Sequence, residues 1–162
     1  MSPQCTILFT CCSACAHALA LVAIVDVESP VEVVPSLEIS DGDRVWIQPW
    51  PVKPATKHRV AVMGMRPNRS HTIRVRVDAA DSVQEQWSEP LFFQTPPLPD
   101  NFPPISVVHA EPQRMEPGVT FFATNIWKDS ISILDYGYIV ALDAEGQVVW
   151  FCETTDRIAD MR

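Results

Sequence analysis

Lysine and arginine are scarce in this chain: twelve stand against twenty Asp and Glu, which gives a net charge of −8 over 162 residues. Nucleic-acid binding needs clustered cationic side chains, so a nucleic acid is excluded as the main partner. Glycine is also scarce, with five residues against fifteen prolines. Because proline cannot donate to a strand ladder or continue a helix, the sequence predicts strands, edges and turns with little helix.

Cysteine is present but poorly distributed for disulfides. Four of the five cysteines, Cys5, Cys11, Cys12 and Cys15, crowd the N-terminus, and Cys152 stands alone. A disulfide framework spreads its partners through the fold. The C-x-x-C at Cys12 and Cys15 has no second pair or histidine to complete a zinc set, and no redox context. We therefore assign no metal ligand and no cofactor, and interpret these as incidental thiols of a leader, with metal or redox chemistry as the alternative.

The stretch from Cys5 to Val25 contains no Asp, Glu, Lys or Arg. This length suits a membrane span or the apolar part of a signal peptide, although no basic residue precedes it and the first is Arg44. We expect residues 1–18 to be a leader or anchor-like segment. The protein is then periplasmic or secreted, with a membrane anchor at its N-terminus as a further expectation and a mis-set gene start as the alternative.

Residues 19–95 carry the pattern of an all-β domain. Leu19–Glu28 and Val31–Ile39 are rich in Val, Ile and Leu, and the Ser-Pro pair between them predicts two strands. Pro35 predicts that the second is an edge strand or carries a bulge. Asp41–Asp43 predicts a turn into a further strand. Seven short strands over this range are typical of an immunoglobulin or fibronectin type III sandwich.

The clearest strands of this range flank a turn. His58–Met63 alternates polar and apolar residues, and in Thr72–Asp78 the apolar side chains alternate with Arg74 and Arg76. Each pattern predicts one face in the core and one in water. The turn between them resembles the fibronectin type III corner, where Gly-Leu is followed by Pro and then by a Tyr whose hydroxyl fixes the corner. His71 stands at the Tyr position, and we expect its imidazole N–H to replace that hydroxyl.

The same region holds the only local concentration of basic residues in the sequence. Its members are Arg59, Arg66, Arg69, Arg74 and Arg76. Two interpretations are open: a solvated sheet face and turn, or a site for an anion such as sulfate.

A proline-rich linker, residues 96–104, leads into the last part of the chain, residues 105–162. There we expect strands at Ile105–Ala110 and Val119–Thr124. A hairpin follows, with strands at residues 138–142 and 147–151. Its turn is Asp-Ala-Glu-Gly, in which Gly146 supplies a positive φ and Asp143 accepts hydrogen bonds from the turn amides.

The hairpin sequence Leu142-Asp143-x-x-Gly146-x-Val148-Val149-Trp150 resembles the opening blade of the arylsulfate sulfotransferase family. In that family a six-bladed β-propeller follows an immunoglobulin-like domain, and the order seen here is similar from about Leu19 to Arg162. The resemblance implies an immunoglobulin or fibronectin type III-like sandwich followed by an incomplete first blade of a β-propeller. One incomplete blade leaves the apolar residues Ile139, Val149, Trp150 and Phe151 partly exposed unless they pack on the sandwich.

The resemblance implies transfer of a sulfuryl group between phenolic compounds through a sulfated His. No His of this chain, at positions 17, 58, 71 and 109, matches the family's catalytic motif, so no catalytic residue is carried over. We expect a non-catalytic N-terminal portion of such a protein, truncated and inactive alone, whose partner is the rest of the propeller. The alternatives are a stand-alone fibronectin-like module that binds a protein or a glycan, and the sandwich that precedes a purple acid phosphatase.

Overall fold

The computed structural model describes residues 6–10, 21–79, 86–126 and 136–154. These residues form two antiparallel sheets, with no α-helix among them and one short 3₁₀ turn at Pro112–Arg114. The all-β prediction is confirmed at this level. The strands are β1 (Thr6–Thr10), β2 (Ala23–Ser40), β3 (Val45–Pro49), β4 (Ala55–Val62), β5 (Ser70–Ala79), β6 (Gln86–Trp87), β7 (Leu91–Gln94), β8 (Thr120–Ile126), β9 (Tyr136–Leu142) and β10 (Val148–Thr154).

The long strand β2 organises a seven-stranded sheet. Its first half pairs with β1 and β4, and its second half pairs with β3 and β5. A register shift against β4 lies between Glu28 and Val33, where a bulge lets one strand change direction and partner. The prediction of two strands divided at the Ser29-Pro30 pair is therefore wrong, since that pair lies inside β2 at the bulge.

Pro35 lies in a central strand, so the edge-strand alternative is wrong; the register shift of β2 lies before Pro35, between Glu28 and Val33. Pro35 pairs with Val77 of β5. On the other side of β2, pairing with β4 ends at Val33 and pairing with β3 begins at Ser36. Pro35, which has no backbone N–H, thus occupies the gap between two partner strands, where no backbone hydrogen bond needs a donor.

One apolar core lies inside this sheet, because both halves of β2 turn alternate side chains toward it. β4 and β5 add their own alternating residues, as predicted for both strands, while Arg74 and Arg76 lie on the outer face. The fully buried members include Val25, Val27, Leu37, Ile39, Val60, Val62, Met65, Ile73 and Val75. Each such side chain contributes about 1.5–3 kcal/mol by leaving water.

The segment thought to be a leader reaches the described part of the chain in one place. Thr6–Thr10 forms β1 and pairs with β2 between Ile24 and Glu28. The four N-terminal cysteines and His17 lie outside the described residues, as do residues 80–85, 127–135 and 155–162.

The second sheet has the order β10-β9-β8 and contains the predicted hairpin. The predicted strand at Ile105–Ala110 is wrong: Ile105 packs on the second core, but Val108 is 96% exposed and the segment joins no ladder. Linker residues cover one face of this sheet. Phe102 stacks on Tyr138 and Phe151 at centroid distances of 5.0 and 5.4 Å, and the Tyr138 hydroxyl donates to Asn101 Oδ1 at 3.1 Å.

This cover changes the expected exposure of the hairpin. Val149 and Phe151 are buried, at 2% and 3% exposure, so the expectation that these side chains are partly exposed is wrong. Ile139 and Trp150 are half-buried, as expected. For Phe151, the side chains of Leu98, Phe102 and Ile105 account for the difference, because they pack against the same core.

Candidate functional site at the junction of the two sheets

The corner between β4 and β5 is held by a threonine from the end of β7. Thr95 is buried, and its hydroxyl donates to Arg66 O at 2.6 Å and accepts from the Arg69 amide at 3.1 Å. Its own amide donates to Arg69 O at 3.0 Å. Gly64 and Asn68 take positive φ values of 83° and 54°, which glycine and asparagine tolerate best. These bonds fix the backbone from Arg66 to Arg69.

His71 also contributes to this corner. It is 1% exposed, and its Nδ1–H donates to Arg69 O at 3.2 Å, which confirms the predicted substitute hydrogen bond. Nε2 is buried and has no hydrogen-bond partner. Burial lowers the pKa of His71 below its ordinary value, and the Asp41 carboxylate offsets this only in part. His71 is therefore a structural residue of the core rather than a solvent-facing catalyst.

Asp143 closes the β9–β10 turn as predicted. Its Oδ1 accepts from the amides of Glu145 at 3.2 Å and Gln147 at 2.8 Å. Gly146 has a φ of 74°, which confirms the expected positive value. A Cβ at Gly146 would overlap Val107 Cγ2, so any other residue there requires the Val107 side chain to move as well as an unfavourable backbone conformation.

The other oxygen of Asp143 joins the two sheets. Arg66 Nε donates to Asp143 Oδ2 at 2.8 Å, and Arg66 Nη2 donates to Glu145 Oε2 at 3.0 Å. Arg44 Nη1 donates to the same Asp143 Oδ2 at 3.2 Å. The side chains of Arg66 and Asp143 are only 10% and 9% exposed. We call these four residues, Arg44, Arg66, Asp143 and Glu145, the Asp143 junction.

Arg44 is positioned from its own sheet. Its Nη2 donates to Gly64 O at 2.6 Å, its Nε donates to Asp41 Oδ2 at 3.0 Å, and its guanidinium lies 4.5 Å from the Trp46 ring centroid. Burial acts to raise the pKa of Asp41, but the Arg44 side chain and amide and the Asp43 amide outweigh it, so the pKa is lowered. Asp41 thus holds Arg44 as a charged carboxylate.

This geometry supports a structural rather than a catalytic role. Asp143 uses both oxygens, and both cations that face it are neutralised by carboxylates. Sequence reasoning found the Asp143 turn but missed its arginine partners. A buried turn carboxylate with a spare oxygen requires a cation, but nothing in the sequence says which one.

The five clustered arginines are engaged by neighbouring groups of the fold. Four of them pair with carboxylates across strands or turns. Arg74 and Arg76 also stack on Trp87, with distances to the ring centroid of 4.8 and 6.0 Å. The pairs are Arg59–Asp26, Arg66–Asp143, Arg69–Asp43 and Arg74–Glu38. The structure therefore favours the sheet-face interpretation over the sulfate site.

The remaining histidines of the described chain have structural partners. His58 Nε2 lies 2.7 Å from Val33 O and 3.1 Å from Ala55 O, where it bridges the bulge of β2. His109 is exposed and pairs with Glu111 at 3.0 Å. Neither His58 nor His109 bonds to a residue of the Asp143 junction through these contacts.

Both faces of the second sheet are apolar. The face turned from the linker carries Ala141 between Phe121 of β8 and Trp150 of β10, whose rings lie 6.1 Å apart. Ile139 and Cys152 follow in the next row of the same face. Phe121 is 54% exposed. A sheet whose two sides are both apolar is suited to packing between two other layers.

A cleft of about 300 Å³ lies beside the Asp143 junction, lined mainly by prolines and apolar side chains of the linker and by the hairpin turn. It presents no titratable group. Within the described ranges no group of three or more His, Cys, Asp or Glu is placed to bind a metal ion. No helix in the part that the structure describes is long and apolar enough to cross a membrane.

Comparison with known proteins adds no relative. No family model, curated protein or solved structure matches the chain.

Proposed function

We propose that this chain is the non-catalytic N-terminal portion of an arylsulfate sulfotransferase-like protein. In this proposal the seven-stranded sheet is an immunoglobulin or fibronectin type III-like sandwich, and the second sheet belongs to the first blade of a β-propeller. The observation that carries it is the three-stranded sheet built on the Asp143–Gly146 hairpin, apolar on both faces.

The two apolar faces support a propeller blade because blades pack against each other through their faces. One face is covered by Phe102 and its neighbours in the linker. The other presents Phe121 and Trp150, and a further blade would cover them. The Asp143 junction then sets the angle between the sandwich and the first blade.

Catalysis is assigned elsewhere in such a protein. Sulfuryl transfer through a sulfated His needs a nucleophilic imidazole and cations that stabilise developing sulfate charge. His58, His71 and His109 are engaged structurally, and Arg44 and Arg66 are already neutralised by carboxylates. The role of this portion is to carry and orient the propeller.

We also propose an extracytoplasmic location for this protein. Recovery of a C-terminally tagged chain in the cytosolic fraction alone would contradict this location.

Two experiments test the proposal. The coding sequence on the 3′ side of the Arg162 codon should encode further blade hairpins with His and Arg, and unrelated sequence there would sink the proposal. Purified protein should show no sulfuryl transfer from 4-nitrophenyl sulfate to phenol. Turnover that survives further purification would show that the catalytic group lies in these 162 residues.

A second candidate is a stand-alone module that binds a protein or a glycan through the outer face of the first sheet. The observation that favours it is the stack of Arg74 and Arg76 on Trp87, next to Phe92, which is 75% exposed. Planar aromatic and guanidinium groups are common in binding surfaces. Arg74→Ala should then abolish capture of that partner and change the urea midpoint only slightly, because the Arg74–Glu38 pair is partly exposed. Retained capture would remove this candidate.

A further inference from the structure

The imidazole of His71 is held in a setting that accepts only its neutral form. The ring is 1% exposed, Nδ1–H donates to Arg69 O at 3.2 Å, and Nε2 has no partner. A neutral ring leaves a lone pair on Nε2, which is a modest loss. A protonated ring places an N–H without an acceptor in the core, where an unsatisfied charged donor costs considerably more.

The charged groups that face this ring come from three directions. Asp41, in the turn after β2, attracts a protonated ring, whereas Arg44 before β3 and Arg69 in the corner repel it. Trp46 of β3 meets the ring edge-on at a centroid distance of 6.3 Å. Burial, with the two arginines, outweighs the Asp41 carboxylate and the hydrogen bond to Arg69 O, which both favour the protonated ring, and the pKa of His71 is lowered.

The acceptor of the His71 bond belongs to the chain of contacts that ends at the junction. Arg69 O also accepts from the Thr95 amide, and the Thr95 hydroxyl donates to Arg66 O at 2.6 Å. The side chain of Arg66 holds Asp143 of the other sheet at 2.8 Å. A shift of the corner that hydrates His71 therefore moves the residue that joins the sheets.

We propose that this corner makes the contact between the two sheets acid-sensitive: protonation of His71 opens the corner and releases Arg66 from Asp143. Each sheet retains its own apolar core in this state, because the two cores share no residue. The protein thus has a coupled form near neutral pH and an uncoupled form in mild acid, a device that goes beyond a passive scaffold.

A double-mutant cycle at two pH values tests this proposal. Arg66→Met, Asp143→Asn and the double variant are compared with the parent by urea unfolding at about pH 7.5 and about pH 5.5, a range in which free histidine titrates and free carboxyls do not. The midpoint shifts of the single variants should be non-additive at the higher pH and additive at the lower pH. Equal non-additivity at both pH values would overturn the proposal.

The same cycle in a His71→Phe background assigns the titrating group. Phenylalanine keeps a buried ring but cannot bind a proton, so non-additivity should persist at both pH values. Its loss at low pH in this background would place the sensor elsewhere and also overturn the proposal. If His71→Phe does not fold, His71→Asn serves instead, because its amide N–H can still donate to Arg69 O.

Discussion

Arg66 and Asp143 are 77 residues apart in the chain, yet Arg66 Nε donates to Asp143 Oδ2 at 2.8 Å. This contact joins the corner of the first sheet to the hairpin turn of the second. Both side chains are about nine-tenths buried, so water screens the pair poorly. The value of such a pair lies less in net stability than in fixing one arrangement of the two sheets.

Removing the charge of Asp143 should lower the stability of the protein, because it leaves the buried Arg66 guanidinium with less counter-charge. Asp143→Asn retains an acceptor for the Glu145 and Gln147 amides but weakens the bonds from Arg44 and Arg66. We expect a loss of about 1.5–3 kcal/mol in the free energy of urea unfolding. Glu145→Gln is the matched control, because Glu145 is 57% exposed and its pair should contribute less than about 1 kcal/mol. Equal losses in the two variants would contradict the central place given to Asp143.

The hydroxyl of Thr95 can be tested against another threonine. Thr95→Val removes the bonds to Arg66 O and Arg69 N, and we expect a loss of about 1–3 kcal/mol in thermal or urea unfolding. Thr124 has a buried hydroxyl without a hydrogen-bond partner. Thr124→Val should accordingly be neutral or stabilising. A destabilised Thr124 variant beside an unaffected Thr95 variant would show that the corner is not held as described.

Two glycines with positive φ separate conformation from contact. Gly42→Ala adds a methyl group in open space at a φ of 89°, and it should cost about 1–2 kcal/mol through backbone strain alone. Gly146→Ala adds the same strain and also drives Cβ into Val107. Its unfolding free energy should fall further than that of the Gly42 variant. Equal losses would mean that residues 105–108 do not cross the hairpin turn.

The two faces of β8 give a further pair of variants. Phe121→Ser lies on the open face and should leave the unfolding free energy almost unchanged while reducing binding of a hydrophobic dye. Phe122→Ser lies on the face that the linker covers and should cost about 3 kcal/mol or more. The reverse ranking would show that the faces have been assigned wrongly.

The lowered pKa of Asp41 makes a pH-dependent prediction. A carboxyl with a depressed folded-state pKa stabilises the protein above its unfolded pKa of about 3.9, and this stabilisation is lost as pH falls through the folded value. Asp41→Asn should thus lower the urea midpoint at neutral pH, and the difference from the parent should shrink in acid. Asp43→Asn is the control: Asp43 is 70% exposed, so the loss of its charge should change the urea midpoint only slightly. A difference that grows in acid would contradict the sign.

Local signals in the sequence were sufficient where structure depends on neighbours in the chain. The alternation in β5 and the Asp143–Gly146 turn were predicted because side-chain period and turn chemistry are local. β2 was divided wrongly because Pro30 resembles a terminator unless a bulge is known to lie there. The apolar content of Ile105–Ala110 predicts a strand, but the segment joins no ladder: Ile105 packs on the core of the second sheet, while Val108 is exposed.

The sequence predicts the turn at the candidate site but not the arginines that pair with it. Asp143 was assigned to its turn, while its pairing with Arg44 and Arg66 depends on how two distant segments meet. Sequence spacing carries no information about such contacts. The clustered arginines resemble an anion site because the carboxylate partners of four of them lie on other strands or in turns. Charge pairing across a fold is set by topology rather than by local pattern.

We infer that the two sheets form one cooperative unit joined at Asp143. Hydrogen exchange in increasing urea measures this directly, because it reports the opening free energy of each strand separately. At neutral pH the protected amides of β5 and β9 should converge on one opening free energy with one urea dependence. Exchange of β9 through an opening of much lower free energy, with β5 still protected, would contradict the claim.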